Sequence, residues 1–124
     1  MSETPRKFDT GKLRYDLDDV FATAWRVATL TLGAIKYAAN NWRNFDHEAI
    51  REKYYAATIR HLDAWRAGQD DDPETGLPHL ACAEFGVMVL CATFVPRDLA
   101  EVQRRTTAAI EKWHAIQAAK KEGT

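Results

Sequence analysis

The sequence contains no glycine-rich phosphate loop, no nucleophile elbow, no His-Glu-x-x-His and no Cys-x-x-Cys pair. Those absences remove the commonest ATPase, esterase and zincin routes to hydrolysis. There is no His-Asp dipeptide, which argues against a histidine-aspartate phosphohydrolase. Cysteine occurs only as Cys82 and Cys91, both in one apolar run. Two residues at that separation on a continuous helix cannot be bridged, so a reducing, cytoplasmic setting is expected. Neither sign of charge dominates: 17 basic residues oppose 18 acidic ones, for a net charge of -1. That balance argues against a broad nucleic-acid surface or a membrane surface and leaves room for a local basic pocket. No apolar segment follows a basic start, so no signal peptide is expected. The apolar run over 80–95 carries Glu84 and is too short to span a bilayer. Internal repeats, low-complexity stretches and a linker to a second domain are also lacking.

What remains is ordinary globular material. The 124 residues are 46% hydrophobic and 28% charged, the size and composition of one domain. Periodicity indicates an all-α fold, a single four-helix bundle-like domain with an N-terminal arm over 1–16, helices within 17–121 and a frayed tail at 122–124. Asp16 or Asp18 is positioned to cap the first helix. In that helix Leu17, Phe21, Ala24, Ala28, Thr31 and Ile35 recur at helical spacing, fading near Asn40 and Asn41. Asp46 caps the second helix, which carries Ile50, Tyr54, Ala57, His61 and Trp65 on one face and ends at Gly68. Pro78 opens a third helix reaching to about Phe94; it is apolar nearly all round and should be the central one. In the fourth, Leu99, Val102, Thr106, Ala109, Trp113 and Ile116 form a narrow stripe suited to a bundle or a second subunit, and a homo-oligomer is expected.

Three constellations can carry chemistry. His61 lies on the apolar face of the second helix. His79 follows the acidic turn "DDDPETGLP", which delivers Asp72 and Glu74 beside it. Imidazole with carboxylate suits a transition metal, while carboxylate and water suit magnesium. The bland alternative is two core histidines and a chain-reversing turn. Glu84 is the lone charge in the third helix, costly to bury unless paired or metal-bound. Its structural alternative is exposure to solvent or an ion pair with Arg60. A basic and aromatic set completes the picture: Lys7, Lys12 and Arg14 in the arm, Lys36 and Tyr37, Asn41 and Trp42, and Arg60. Lysine and arginine grip phosphates, asparagine reads a base edge, and aromatic rings stack on bases. Ordinary surface charge, with Trp42 anchoring a loop, is the structural alternative.

The blocks "KFDTGKLRYDL", "LGAIKYAANNW" and "RHLDAWRAGQDDDPETGLPHLA" resemble, in order, those of a phage and prophage family, the N-terminal domain of dATP/dGTP diphosphohydrolases. The resemblance runs from about Lys7 to Leu90. Lys7, Phe8, Asp9, Gly11, Lys12 and Arg14 match its opening block. Gly33, Lys36, Tyr37, Asn41 and Trp42 match the second. Arg60, His61, Trp65, Gly68, Asp72, Glu74, Gly76 and His79 match the third. The family often has a further histidine three residues beyond His79; Cys82 stands there, and a thiolate also binds metal. The Glu-Glu-x-x-Glu box and Glu-x-x-Asp of the MazG-like all-α pyrophosphohydrolases, a group to which the family bears some likeness, are absent.

The resemblance implies metal-dependent diphosphohydrolysis of purine deoxynucleoside triphosphates to monophosphate and pyrophosphate. His61, Asp72, Glu74 and His79 would be the catalytic set and, with Glu84, the ligands of a divalent metal, magnesium or manganese. Lys7, Lys12, Arg14, Lys36, Tyr37, Asn41, Trp42 and Arg60 would hold the nucleotide. The setting would be the host cytoplasm. The alternative is a non-catalytic nucleotide-binding or assembly domain of the same phage nucleotide-metabolism system. A helical protein whose polar blocks only stabilise loops and an oligomer is the third reading.

Overall fold

The structure is a computed structural model describing residues 12–123. Its described residues form four α-helices: α1 (Val20–Lys36), α2 (His47–Arg66), α3 (His79–Phe94) and α4 (Leu99–Glu122). Short 3-10 turns occupy Tyr15–Leu17 and Asn41–Asn44. The all-α expectation holds. No strand occurs among the described residues; the nearest feature is an isolated antiparallel bridge between Asp71 and Pro78. Two compact units are present, one spanning residues 18–95 and one built from 12–17 and 96–123.

In the larger unit α1 and α2 each begin where a carboxylate satisfies free backbone N–H groups, whereas α3 starts behind Pro78 with no side-chain cap. Asp19, rather than Asp16 or Asp18, caps α1, accepting from Phe21 N at 2.8 Å and Ala22 N at 2.9 Å. Asp18 instead accepts from Asp19 N and from Thr23 Oγ1. Asp46 caps α2, accepting from Ala49 N at 2.8 Å. Gly68 follows α2 with φ +105°, the left-handed region that glycine enters without a Cβ penalty. The helix α1 stops at Lys36, before Asn40; Asn40 itself takes φ +60° and leads into the 3-10 turn.

Helix α3 packs against both α2 and α1, more extensively against α2. Its buried residues are His79, Ala81, Cys82, Ala83, Gly86 and Val89, more than any other helix contributes. Val89 is fully buried in a cluster with Trp42 and Ile50, against which Tyr54, Phe85 and Phe94 pack. Gly86 makes the close α2–α3 approach possible: a Cβ there would lie 2.0 Å from Thr58 Oγ1. All-round apolar composition does not mean all-round burial, for Leu80 and Val87 lie on an exposed side and Cys91 is exposed.

The first helix departs further from its sequence pattern. Phe21 is 74% and Ile35 81% exposed, and α1 has no buried residue. Thr23, Arg26, Thr29, Leu30 and Gly33, on the side opposite the apolar stripe, are partly buried; of the stripe within the helix only Ala28 is. On the side opposite the stripe Arg26 Nη1 donates to Glu84 Oε1 at 2.9 Å, an ion pair that joins α1 to α3.

In the smaller unit, Asp98 caps α4 through Ala100 N at 2.9 Å. The helix continues through Glu122, with Lys120 and Lys121 in its last turn. There they face the negative end of the helix dipole. Leu13 N donates to Gln103 Oε1 at 3.2 Å, joining the arm to α4. On the expected stripe Val102, Trp113 and Ile116 remain exposed. No single helix among the described residues is long and apolar enough to cross a membrane.

Candidate functional site

The acidic turn between α2 and α3 is shaped by its own polar groups. His79 N donates to Asp70 O at 2.9 Å and Asp72 N to Leu77 O at 2.8 Å, drawing the two sides of the turn together. Gly76 N donates to Asp72 O at 2.7 Å, with Gly76 at φ +77°. The Asp72 carboxylate organises the inside: Oδ1 accepts from Glu74 N at 3.1 Å and Oδ2 from Thr75 Oγ1 at 3.1 Å. Thr75 Oγ1 accepts in turn from Leu77 N. Aspartate favours such turns because its short side chain reaches backbone N–H groups two residues on. Here the geometry also holds one carboxylate in a fixed place, half-buried, at the start of α3.

Antiparallel packing of α2 and α3 brings the end of one against the beginning of the other. His61 and His79 meet there, Nδ1 to Nδ1, at 2.8 Å. On the far side of its ring, His79 Nε2 lies 2.7 Å from Gln69 Oε1. With both rings neutral, one proton assignment satisfies the chain. The amide oxygen of Gln69 can only accept, so His79 Nε2–H donates to it. His79 Nδ1 is then an acceptor, and His61 Nδ1–H donates to it. That leaves the Nε2 of His61 with a free lone pair. Burial is the main influence lowering the His61 pKa, reinforced by the neighbouring His79 and opposed by Asp72. The shift favours the neutral ring that can act as a base or ligand.

One ring nitrogen of His61, a carboxylate oxygen of Asp72 and Sγ of Cys82 all lie within 4.8 Å of one another. The three come from α2, the turn and α3. Cys82 is one helical turn beyond the start of α3, facing inward. Burial first, and then the Asp72 carboxylate, push its thiol pKa up. Such a set offers a metal three different donors, or offers a substrate a base flanked by a carboxylate.

The other expected residues are placed as follows. Glu74 is exposed, and its backbone N–H rather than its carboxylate enters the turn. Glu84 is paired with Arg26, not with Arg60 and not with the His61 group. Arg60 is exposed, yet close enough to His61 for its charge to oppose protonation there. Lys36 lies at the end of α1, its Nζ 5.4 Å from the Tyr37 ring centroid. Tyr37, Asn41 and Trp42 line a cavity of about 240 Å³ with Gly33, Tyr54 and Phe85. Trp42 is not an exposed stacking platform: it is buried in the core, with the Arg43 guanidinium 4.4 Å from its ring centroid. Its Nε1 is the buried side-chain polar atom left without a partner among the described residues. Arg14 pairs with Asp16 in the smaller unit, and Lys12 belongs to that unit as well. Lys7 lies outside the described residues.

Sequence reasoning missed Gln69, Arg26, and the cavity walls Tyr54 and Phe85. Gln69 follows the glycine that ends α2 and stands before a run of aspartates, so nothing in its surroundings marked it as a partner for a ring. Arg26 had one available signal: Glu84, a lone carboxylate in an apolar helix, requires a cation.

The profile of a family described as "dATP/dGTP diphosphohydrolase, N-terminal" matches residues 2–104. The chain is similar to a dATP/dGTP diphosphohydrolase of Salmonella phage PMBT28, with 33% identity over 104 residues. That alignment covers 84% of this chain and 34% of the relative, so the chain spans about a third of the relative's length. No solved structure matches.

Proposed function

Because this chain belongs to the dATP/dGTP diphosphohydrolase N-terminal family, we propose that it takes part in hydrolysing purine deoxynucleoside triphosphates to monophosphate and pyrophosphate. The observation that carries this reading is the convergence of His61, Asp72 and Cys82, with His61 oriented through His79 and Gln69. In this reaction a water oxygen bonds to phosphorus, the bridging P–O bond between α- and β-phosphates breaks, and the water proton goes to a base. His61 Nε2, with its lone pair free, is the group suited to take that proton. As His61 becomes positive, Asp72 stabilises the charge. His79 holds the ring's orientation, and Gln69 holds that of His79.

A triphosphate cannot settle beside Asp70, Asp71, Asp72 and Glu74 without compensation for like charge. Catalysis of phosphoryl transfer is mainly positioning and charge neutralisation, so the reading includes a divalent ion. Magnesium or manganese would arrive on the nucleotide's own phosphates, as such ions are commonly held. Arg60 and Lys36, both exposed, are offered to the phosphates; Tyr37 and Asn41 are offered to the base. We also propose a homo-oligomer through the exposed stripe of α4. The setting is the host cytoplasm, where both thiols would stay reduced.

One fact favours a second reading. The chain aligns with only 34% of its phage relative, which suits a nucleotide-binding or assembly domain acting beside a separate catalytic part. Incubation with each deoxynucleoside triphosphate plus magnesium or manganese, resolving phosphate from pyrophosphate, distinguishes the two. Pyrophosphate that disappears in His61→Ala supports the hydrolase. Saturable binding without product supports the binding domain, and inorganic phosphate alone points to a different reaction.

A further inference from the structure

The carboxylates of the acidic turn suit magnesium, but the side chains that actually converge do not form an all-oxygen set. The set is one imidazole, one carboxylate and one thiol. Magnesium demands octahedral oxygen coordination and seldom uses sulfur, whereas zinc and its neighbours take nitrogen, oxygen and sulfur readily. We propose that His61, Asp72 and Cys82 form a protein-held metal centre for a thiophilic divalent ion of the zinc class, with one coordination position open to an outside oxygen.

Four observations converge on this assignment. The donors come from three separate segments yet lie within 4.8 Å of one another, near enough for modest side-chain movement to close them on one ion. Their charges fit: a neutral imidazole, a carboxylate and a thiolate together balance a divalent cation, so no net charge is left in a half-buried place. Binding releases the thiol proton to solvent. The orientation of His61 is already set, since its Nδ1–H donates to His79 and leaves Nε2 toward a ligand role. Ligating histidines usually have their second nitrogen held in this way, and Gln69 extends the support by one more bond. Lastly, Asp72 is fixed by bonds from Glu74 N and Thr75 Oγ1, so its position does not depend on the ion.

Three protein donors are the pattern of a metal site that retains an exchangeable position, while structural zinc sites close with four. With the ion held, His61 Nε2 would serve as a ligand and not as the base, and the open position would be the seat for a phosphate oxygen or a water. Magnesium would then enter with the nucleotide, and the protein-held ion would be a different element. The inference concerns metal binding alone and does not rest on the hydrolase reading.

The experiment uses the full chain in a Cys91→Ser background, which removes the exposed second thiol, and titrates the metal-free protein with cobalt and with zinc in the absence of nucleotide. The expected result is one ion per chain, a cobalt–thiolate charge-transfer band in the near ultraviolet, and displacement of cobalt by zinc but not by excess magnesium. Cys82→Ser should abolish the band. His79→Ala should weaken binding by about tenfold or more, as loss of an outer-shell partner does. Cobalt binding without a thiolate band, or no stoichiometric binding by the parent protein, overturns the proposal. The parent spectrum decides this even if a variant fails to fold. Magnesium-supported turnover without the band sinks this inference alone, whereas an intact band without turnover supports it and counts only against the hydrolase.

Discussion

Replacing Gly86 by alanine tests the helix packing that brings His61 and His79 together. A Cβ at Gly86 would sit 2.0 Å from Thr58 Oγ1 and 3.3 Å from Thr58 Cβ, with Tyr54 O at 3.6 Å. Thr58 is buried and Oγ1 donates to Tyr54 O at 2.6 Å, so it has little freedom to withdraw. Rotating it away gives up that hydrogen bond, roughly 1 kcal/mol. Moving the helices apart instead loosens the core, and overpacking of this kind costs about 1–3 kcal/mol. Alanine returns about 1 kcal/mol through its higher helix propensity. The expected net loss is therefore about 0–2 kcal/mol in urea unfolding followed by far-ultraviolet circular dichroism. In a Thr58→Ala background the 2.0 Å contact is gone and only the 3.3 Å one remains. There the same substitution should be neutral or slightly stabilising, giving a coupling of about 2 kcal/mol in the double-mutant cycle. A coupling below about 0.5 kcal/mol, the range of independent sites, would refute the close approach at Gly86.

Arg26→Ala leaves Glu84 facing α1 without its cation; the pair is about 30% exposed, between surface and buried regimes, so a loss of about 1–3 kcal/mol is expected. The double replacement Arg26→Leu with Glu84→Leu should recover most of it in the same unfolding assay. Gly76→Ala places a Cβ on a φ of +77° and should cost about 1–2 kcal/mol, with Gly76→Asn milder because asparagine tolerates that region. Equal stabilities for all three residues would show that the turn does not need this conformation. Glu101 is held down to about 2 chiefly by its hydrogen bond from Arg104, and then by that from Arg105. Its contribution is full above the ordinary carboxylate value and is lost as pH falls toward 2, because only then does the folded form take up the proton. A carboxylate-resolved NMR titration should show that low midpoint and its return toward the ordinary range in Arg104→Gln.

Much of the local structure follows from the chain's own chemistry. Asp46, Gly68 and Pro78 mark helix boundaries because caps, left-handed glycine and the missing proline N–H act within a few residues. Ile50, Tyr54, Ala57 and His61 share a face because a helix repeats every 3.6 residues, and family membership is legible in blocks of neighbouring residues. The rest required folding. Helix α1 leaves its apolar stripe exposed, and Arg26 meets Glu84, 58 positions away, only once the two helices have packed. Gln69 became a partner of His79 through the same reversal of the chain. Cys82 joined His61 and Asp72 only once α2 and α3 packed at the distance Gly86 allows. Caps and periodicity are properties of a segment, while a proton-ordered pair of rings or a set of metal donors exists only when separate segments meet.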